Sequence, residues 1–248
     1  MPAAEFVLVD ISNSFTKVAL SSRRRLGRVS RLFTKDLTAK SLRDLLGRRD
    51  ANYAVVASVV PSRNSVASRV LPGPICWVSH KIPLGVGIDY PKPETIGADR
   101  LANATAAAAL YGTPAIVVDF GTAVTFDVIS TAGDYVGGVI APGLNAMTDY
   151  LHQRTALLPR VKLREPRQAI GRTTAEAMRS GAVHGYRGLV AEILRQILAE
   201  VPSKARAHLI ATGGDARLIA GSTKLFSAVD PALTLEGLRL IGCRNFPR

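Results

Sequence analysis

Two cysteines in 248 residues, Cys76 and Cys243, stand far apart with no Cys-x-x-Cys or Cys/His grouping around them, which leaves neither a disulfide framework nor a zinc site to read. Aromatic residues make up 6% of the chain, few for the stacking platforms of an RNA-binding sheet or a single-strand channel. No zinc finger, RNP pair or GxxG clamp is present either. No apolar run approaches the roughly 20 residues of a membrane span, and the N-terminus has no basic stretch followed by an apolar segment and a small-residue cleavage site. A cytoplasmic protein with reduced thiols and no membrane association is expected. Acidic residues are scarce: 19 Asp and Glu face 32 Lys and Arg, for a net charge of +13. The excess is dense at Arg23, Arg24, Arg25, Arg28, Arg31 and Lys35, and again at Arg154, Arg160, Lys162, Arg164, Arg167 and Arg172. Such groups attract nucleic acid, an anionic surface or a small phosphorylated ligand, or they are simply a solvated face. With no recognition motif beside them, nucleic acid is not expected as a partner.

What is present is a folded, mixed α/β pattern: 47% of residues are hydrophobic and 21% charged, enough for a sizeable core. Apolar stretches of strand length occur at 6–9, 15–20 and 26–32, followed by helical spacing over 37–46, a strand at 53–59, a short helix at 62–70 and a strand at 75–78. The Gly- and Pro-rich segment 83–93 reads as loop, before an Ala-rich helix from about 96 to 110. The pattern then restarts with strands at 115–118, 124–129 and 135–140, the last two joined by a hairpin at Gly133 and Asp134. Helices at 144–152 and 173–198, a strand at 208–211 and short elements through 240 complete the second half. The expected division is 1–112 and 113–248.

The restart extends to single residues. Leu8-Val9-Asp10-Ile11-Ser12-Asn13-Ser14 aligns with Val117-Val118-Asp119-Phe120-Gly121-Thr122-Ala123, and an apolar strand follows each. A turn at that place, with Gly121 free of a Cβ, lets backbone N–H groups converge on an anion, and Thr122 and Thr125 add hydroxyls. An Asp beside a phosphate makes sense where a cation intervenes; an ordinary hairpin with a permissive glycine is the alternative. In PETIGADRLANA, Asp99 falls in the first turn of the Ala-rich helix, where it serves as a dipole-favoured carboxylate or as an oriented proton acceptor for an attacking alcohol. Arg100 beside it suits a substrate carboxylate or a surface ion pair. GGVIAPG at 137–143 and ATGGDARL at 211–218 allow close backbone approach to a ligand or a neighbouring strand.

Together these segments resemble the type III pantothenate kinases over about residues 7–242. The resemblance is carried by DISNSFTK, PLGVGIDYPKPETIGADRLANA, VVDFGTAVTFDV, YVGGVIAPGLNAM, RTALLPRV, IGRTTAEAMRSG, IATGGDARLI and LTLEGL. It implies the α/β, two-domain, ribonuclease H-like fold shared by acetate and sugar kinases, Hsc70 and actin. It also implies ATP-dependent phosphorylation of pantothenate to 4'-phosphopantothenate, the first step of coenzyme A synthesis, in a homodimer needing Mg2+ and a monovalent cation, K+ or NH4+. By the same resemblance, Asp99 is the proton acceptor, and Tyr90, Gly97, Ala98, Asp99, Arg100 and Thr174 meet pantothenate. Asp10, Ile11, Ser12, Asn13, Ser14, Phe15, Thr16, Lys17 and Thr122 meet ATP. Asp119 holds the monovalent cation, and Asp10 organises magnesium.

The family's first turn usually reads Asp-x-Gly-Asn-Thr-x-x-Lys, whereas this chain has Ser12 for the glycine and Ser14 for the threonine. Ser14 keeps a hydroxyl. If the backbone at Ser12 requires positive φ, a non-glycine residue costs about 1 kcal/mol or more, and any loss of activity is expected to originate there. The alternative readings are a catalytically weak or inactive family member acting as a regulatory or accessory binding protein, a nucleic-acid accessory protein using the basic face, and a kinase of another small hydroxy acid.

Overall fold

The computed structural model describes residues 4–47, 51–201 and 206–247. The first sheet starts with β1 (Phe6–Ile11), β2 (Phe15–Ser21) and β3 (Leu26–Phe33), an antiparallel meander. Helix α1 (Ala39–Leu46), β4 (Tyr53–Ser58), α2 (Asn64–Val70) and β5 (Ile75–Trp77) follow. The strand order is β3-β2-β1-β4-β5, with β1 antiparallel to β2 and parallel to β4. FVLVDI is buried at every position, as a central strand covered on both faces should be. The edge strand β3 is only partly covered. Helix α1 starts at Ala39, two residues later than its spacing suggests. Thr38 closes a capping box there with Ser41: its side chain accepts from Ser41 N–H at 3.1 Å, and its own N–H donates to Ser41 Oγ at 2.8 Å.

A two-residue strand β6 (Gly87–Ile88) interrupts the expected loop at 83–93, and the Ala-rich helix is α3 (Ala98–Tyr111). The second half comprises β7 (Ala115–Phe120), β8 (Ala123–Ile129), β9 (Asp134–Pro142), α4 (Leu144–Arg154), α5 (Thr174–Glu200), β10 (His208–Gly213), α6 (Ala216–Ala220), β11 (Ala228–Val229) and α7 (Leu233–Asn245). Of the two residues expected in the β8–β9 hairpin, Gly133 is in the turn at φ +89, while Asp134 is already the first residue of β9. The second sheet runs β11-β10-β7-β8-β9-β6. Apart from β6, this repeats the first: a meander whose opening strand sits centrally, antiparallel to the next strand and parallel to the fourth. The internal echo in the sequence is therefore an echo of topology.

Two compact units make up the chain. One comprises Met1–Thr113, Ala132–Gly137 and Ala232–Arg248; the other comprises Pro114–Thr131 and Gly138–Pro231. The core of the first includes Val7, Val9, Ile11, Val18, Leu37, Leu42 and Val56. That of the second joins Ile116, Val118, Phe120, Val124 and Phe126 to Val183, Tyr186, Val190 and Leu194 of α5.

Candidate functional site

In the first unit Asp10 is the penultimate residue of the fully buried strand β1 and is itself 2% exposed. Burying an ionised carboxylate needs partners, and the following turn supplies two: Ser12 Oγ donates to Asp10 Oδ1 at 2.8 Å, and Lys17 Nζ lies 3.7 Å from Oδ2. Lys17 is the cross-strand partner of Asp10, so the pairing register delivers it. The turn is closed by Ser12 N–H to Phe15 O at 3.2 Å. It is buttressed by Thr34, whose hydroxyl donates to Ser12 O at 2.6 Å and whose N–H donates to Ser14 O at 3.0 Å. Among the described residues no non-glycine has positive φ, so Ser12 does not incur the backbone cost expected if the turn required it. Ser12 is a ligand of Asp10. Ile11 and Thr16 are buried, Thr16 against the Thr34 hydroxyl at 3.0 Å, so their side chains face the interior. Phe15 stacks on Phe33 at 4.7 Å, and Asn13 and Ser14 are exposed.

The Gly97–Arg100 segment is the start of α3. Gly97 is the N-cap, and its carbonyl accepts Leu101 N–H at 3.1 Å. The Asp99 carboxylate folds back over this end, where its Oδ1 accepts the Arg100 N–H at 2.8 Å. A Cβ on residue 97 would stand 2.6 Å from that same oxygen, which explains the glycine. Ala98 is buried beneath it. The guanidinium carbon of Arg100 lies 5.7 Å from the centre of the Tyr135 ring, and Tyr90 meets that ring edge-on at 6.0 Å. Thus Tyr90, Asp99 and Arg100, read from one segment, fall in one unit with Tyr135, to which the motifs gave no role. It opens the YVGGVIAPGLNAM motif, which assigned it no contact; the pairing of Ile88 with Tyr135 that brings Tyr90 alongside depends on the two-residue β6.

In the second unit Asp119 pairs across to Thr125, where Asp10 pairs to Lys17. The turn here is one residue shorter: β8 resumes at Ala123 after Gly121 and Thr122, whereas β2 resumes at Phe15 after Ser12, Asn13 and Ser14. Gly121 N–H donates to Ala123 O at 3.0 Å. Gly143 N–H donates to Thr122 O at 3.1 Å, and a Cβ there would sit 2.4 Å from that oxygen. Part of GGVIAPG therefore approaches the neighbouring turn's backbone. Gly213 of ATGGDARL, at φ +95, likewise approaches the end of β7: a Cβ would lie 2.6 Å from Phe120 N and O and 2.5 Å from Asp119 Oδ1. Thr174 is the first residue of α5, exposed and next to the N-cap Thr173, whose side chain accepts Glu176 N–H at 3.2 Å.

Among the described residues no three His, Cys, Asp or Glu side chains group as a metal site. Magnesium in phosphoryl transfer takes one or two carboxylates and completes its shell with donor phosphates and water, and Asp10 fits the part of one such ligand. No described helix is long and apolar enough to cross a membrane. Cys76 and Cys243 are free thiols.

The sequence profile described as type III pantothenate kinase matches residues 6–196. A type III pantothenate kinase of Akkermansia muciniphila is 50% identical over 241 residues, spanning 97% of this chain and 99% of its own length. That of Methylacidiphilum infernorum is 43% identical over 236 residues, spanning 95% and 87%. Among solved structures, an archaeal actin homologue covers 95% of both chains at a TM-score of 0.51 and 12% identity. The fold is that of actin, Hsc70 and the sugar kinases. These findings correct the expectation of ATP. The names of the matched family and relatives carry pantothenate, and the donor ascribed to the family is acetyl phosphate. ATP as co-substrate and partner, and nucleotide binding as a property, are withdrawn with it. The K+ or NH4+ requirement has no support in these findings, and the homodimer rests on the resemblance alone.

Proposed function

The chain belongs to the type III pantothenate kinase family and is a phosphotransferase with pantothenate as its alcohol acceptor; from that premise we propose that the start of α3 is where the acceptor is held and deprotonated. The primary hydroxyl oxygen of pantothenate attacks the donor phosphorus, the bond from phosphorus to the leaving oxygen breaks, and the hydroxyl proton passes to Asp99. Phosphoryl transfer of this kind needs positioning and charge stabilisation more than covalent help from the protein. Arg100 pairs with the pantothenate carboxylate, Tyr90 and Thr174 contact the rest of the molecule, and Gly97 and Ala98 shape the edge it lies on. The turn from Asp10 to Lys17 and Thr122 contact the donor's phosphate. Asp10 would be one ligand of a magnesium ion, which would supply charge neutralisation at the transferring group. We place the reaction in the cytoplasm, which the two free thiols suit.

The observation that carries this reading is the orientation of Asp99: its carboxylate is fixed on the helix end by the Arg100 N–H at 2.8 Å and by the room that Gly97 leaves. Mass-spectrometric assay of 4'-phosphopantothenate should show Asp99→Asn slowed by about a hundredfold or more, with its unfolding temperature kept. Unchanged turnover in folded Asp99→Asn would exclude it as the proton acceptor. The same assay, run with acetyl phosphate and with ATP in separate reactions, tests the donor. Product from acetyl phosphate alone agrees with the correction, and product from ATP alone overturns it.

A further inference from the structure

Tyr135 lies 0% exposed on β9, yet it touches two of the residues to which pantothenate contacts have been given. The guanidinium carbon of Arg100 is 5.7 Å from its ring centre. The ring of Tyr90 meets it at 6.0 Å with an interplanar angle of 74°, the edge-to-face arrangement that aromatic quadrupoles favour. Its strand is held in place by backbone pairing, with Ile88 in register and Asp89 N–H donating to Tyr135 O at 3.0 Å. Two residues further on, Gly137 has φ +133, and a Cβ there would come within 3.6 Å of the Tyr90 ring. The backbone that carries Tyr135 is thus tied to the segment that carries Tyr90, and the Tyr135 ring reaches Arg100 of α3.

From this juxtaposition we infer that Tyr135 is a positioning residue for the acceptor, holding Arg100 and Tyr90 in the geometry that recognises a carboxylate-bearing substrate. The inference rests on the proposed role of Arg100. A guanidinium held over an aromatic ring by cation–π attraction, here 5.7 Å from its centre, is steadied by the ring while its planar N–H fork retains the shape that matches a carboxylate. A long, flexible arginine without such a floor would lose rotamer entropy on each binding event. Tyr135 removes that freedom beforehand, so its contribution appears in acceptor binding and leaves donor binding alone.

The test measures KM for pantothenate and for the phosphoryl donor in wild type, Tyr135→Phe and Tyr135→Met. Phe keeps the aromatic floor, while Met fills a buried space with a flexible chain and removes it. Tyr135→Met should raise the pantothenate KM about twofold to thirtyfold, the range of a cation–π contact of about 0.5–2 kcal/mol, with the donor KM unmoved. Tyr135→Phe should restore the wild-type pantothenate KM even if its unfolding temperature falls. Equal changes in both KM values, or a folded Tyr135→Met with wild-type pantothenate KM, overturn the inference. Where Tyr135→Met does not fold, the wild-type protein decides: the Arg100 Nε–H resonance should shift on saturation with pantothenate, and a resonance that stays in place counts against the inference. Absence of any pantothenate turnover or binding by wild type would instead remove the proposed function itself.

Discussion

At the scale of single residues, the serine in the first turn has a positive use. Its hydroxyl, with Lys17 at 3.7 Å, partners the carboxylate of a residue only 2% exposed. Ser12→Gly restores the family's usual residue, yet there is no left-handed backbone for the glycine to relax. It deletes a hydrogen bond to a charged group instead. We expect it to lower stability by about 1 to 2 kcal/mol, read by urea unfolding, and to bring no gain in turnover; a more active or more stable variant would contradict this. Asp10, Asp99, Asp119 and Arg100 were legible as candidates because a charged residue at the end of an apolar strand or the start of a helix stands out in the pattern. Tyr135 was not, since an aromatic residue in a strand looks like core, and it is core. What distinguishes it is the arginine above its ring, a contact between residues distant in sequence.

Among the elements, α3 and α7 show how backbone approach sets the tolerance to side chains. Gly237 of α7 faces α3 so closely that a Cβ would lie 2.0 Å from Ala102 O, and beside it Thr234 Oγ1 donates to the buried Asn103 Oδ1 at 2.8 Å. The Ala-rich stretch of α3 is what permits this crossing. Gly188, in the exposed middle of α5, has nothing within 4 Å of its would-be Cβ. The same substitution should therefore act in opposite directions: Gly237→Ala destabilises by about 2 kcal/mol through overpacking, and Gly188→Ala stabilises by about 0.5 to 1 kcal/mol through helix propensity. Thermal unfolding of the two variants checks the pair, and a shift of like sign in both would refute the argument. The stretch between α4 and α5, without helix or strand, is pinned to α5 by side chains. Arg187 meets Glu165 with two hydrogen bonds, at 2.9 and 2.6 Å, and Arg179 Nε donates to Lys162 O at 3.2 Å. The RTALLPRV motif opens this stretch, and its sequence alone carries no sign of what anchors it.

At the scale of the whole molecule, the two basic clusters read from the sequence are largely solvated. Arg24, Arg25, Arg28, Arg31 and Lys35 are exposed on or beside the edge strand β3, where charge discourages pairing with another sheet. Arg23 is the exception, held by Glu5 Oε1 at 2.8 Å and by the carbonyl of Cys243 at 3.4 Å. The pH dependence of stability follows from two carboxylates of opposite sign. Burial raises the Asp215 carboxyl above its ordinary value, so the folded state binds that proton more tightly than the unfolded chain. Its contribution to stability is greatest at low pH and declines as pH rises through the raised value. Arg187 lowers the Glu165 carboxyl; that contribution is present above the unfolded value and lost as pH falls through the folded one, and solvent screening keeps it small. Asp215→Asn should therefore raise the unfolding temperature at pH 8 and have little effect near pH 4, and a larger gain at pH 4 would contradict the assignment. The sequence by itself determined the duplicated strand–Asp–turn–strand plan, the order of helices and strands and the family, because alternation, turn residues and helix starts are local signals. Tertiary structure alone decided that Ser12 serves Asp10, that β6 pairs with β9, and that Tyr135 underlies Arg100. Each is a contact across strands or between elements, set by register and packing, for which no local pattern exists.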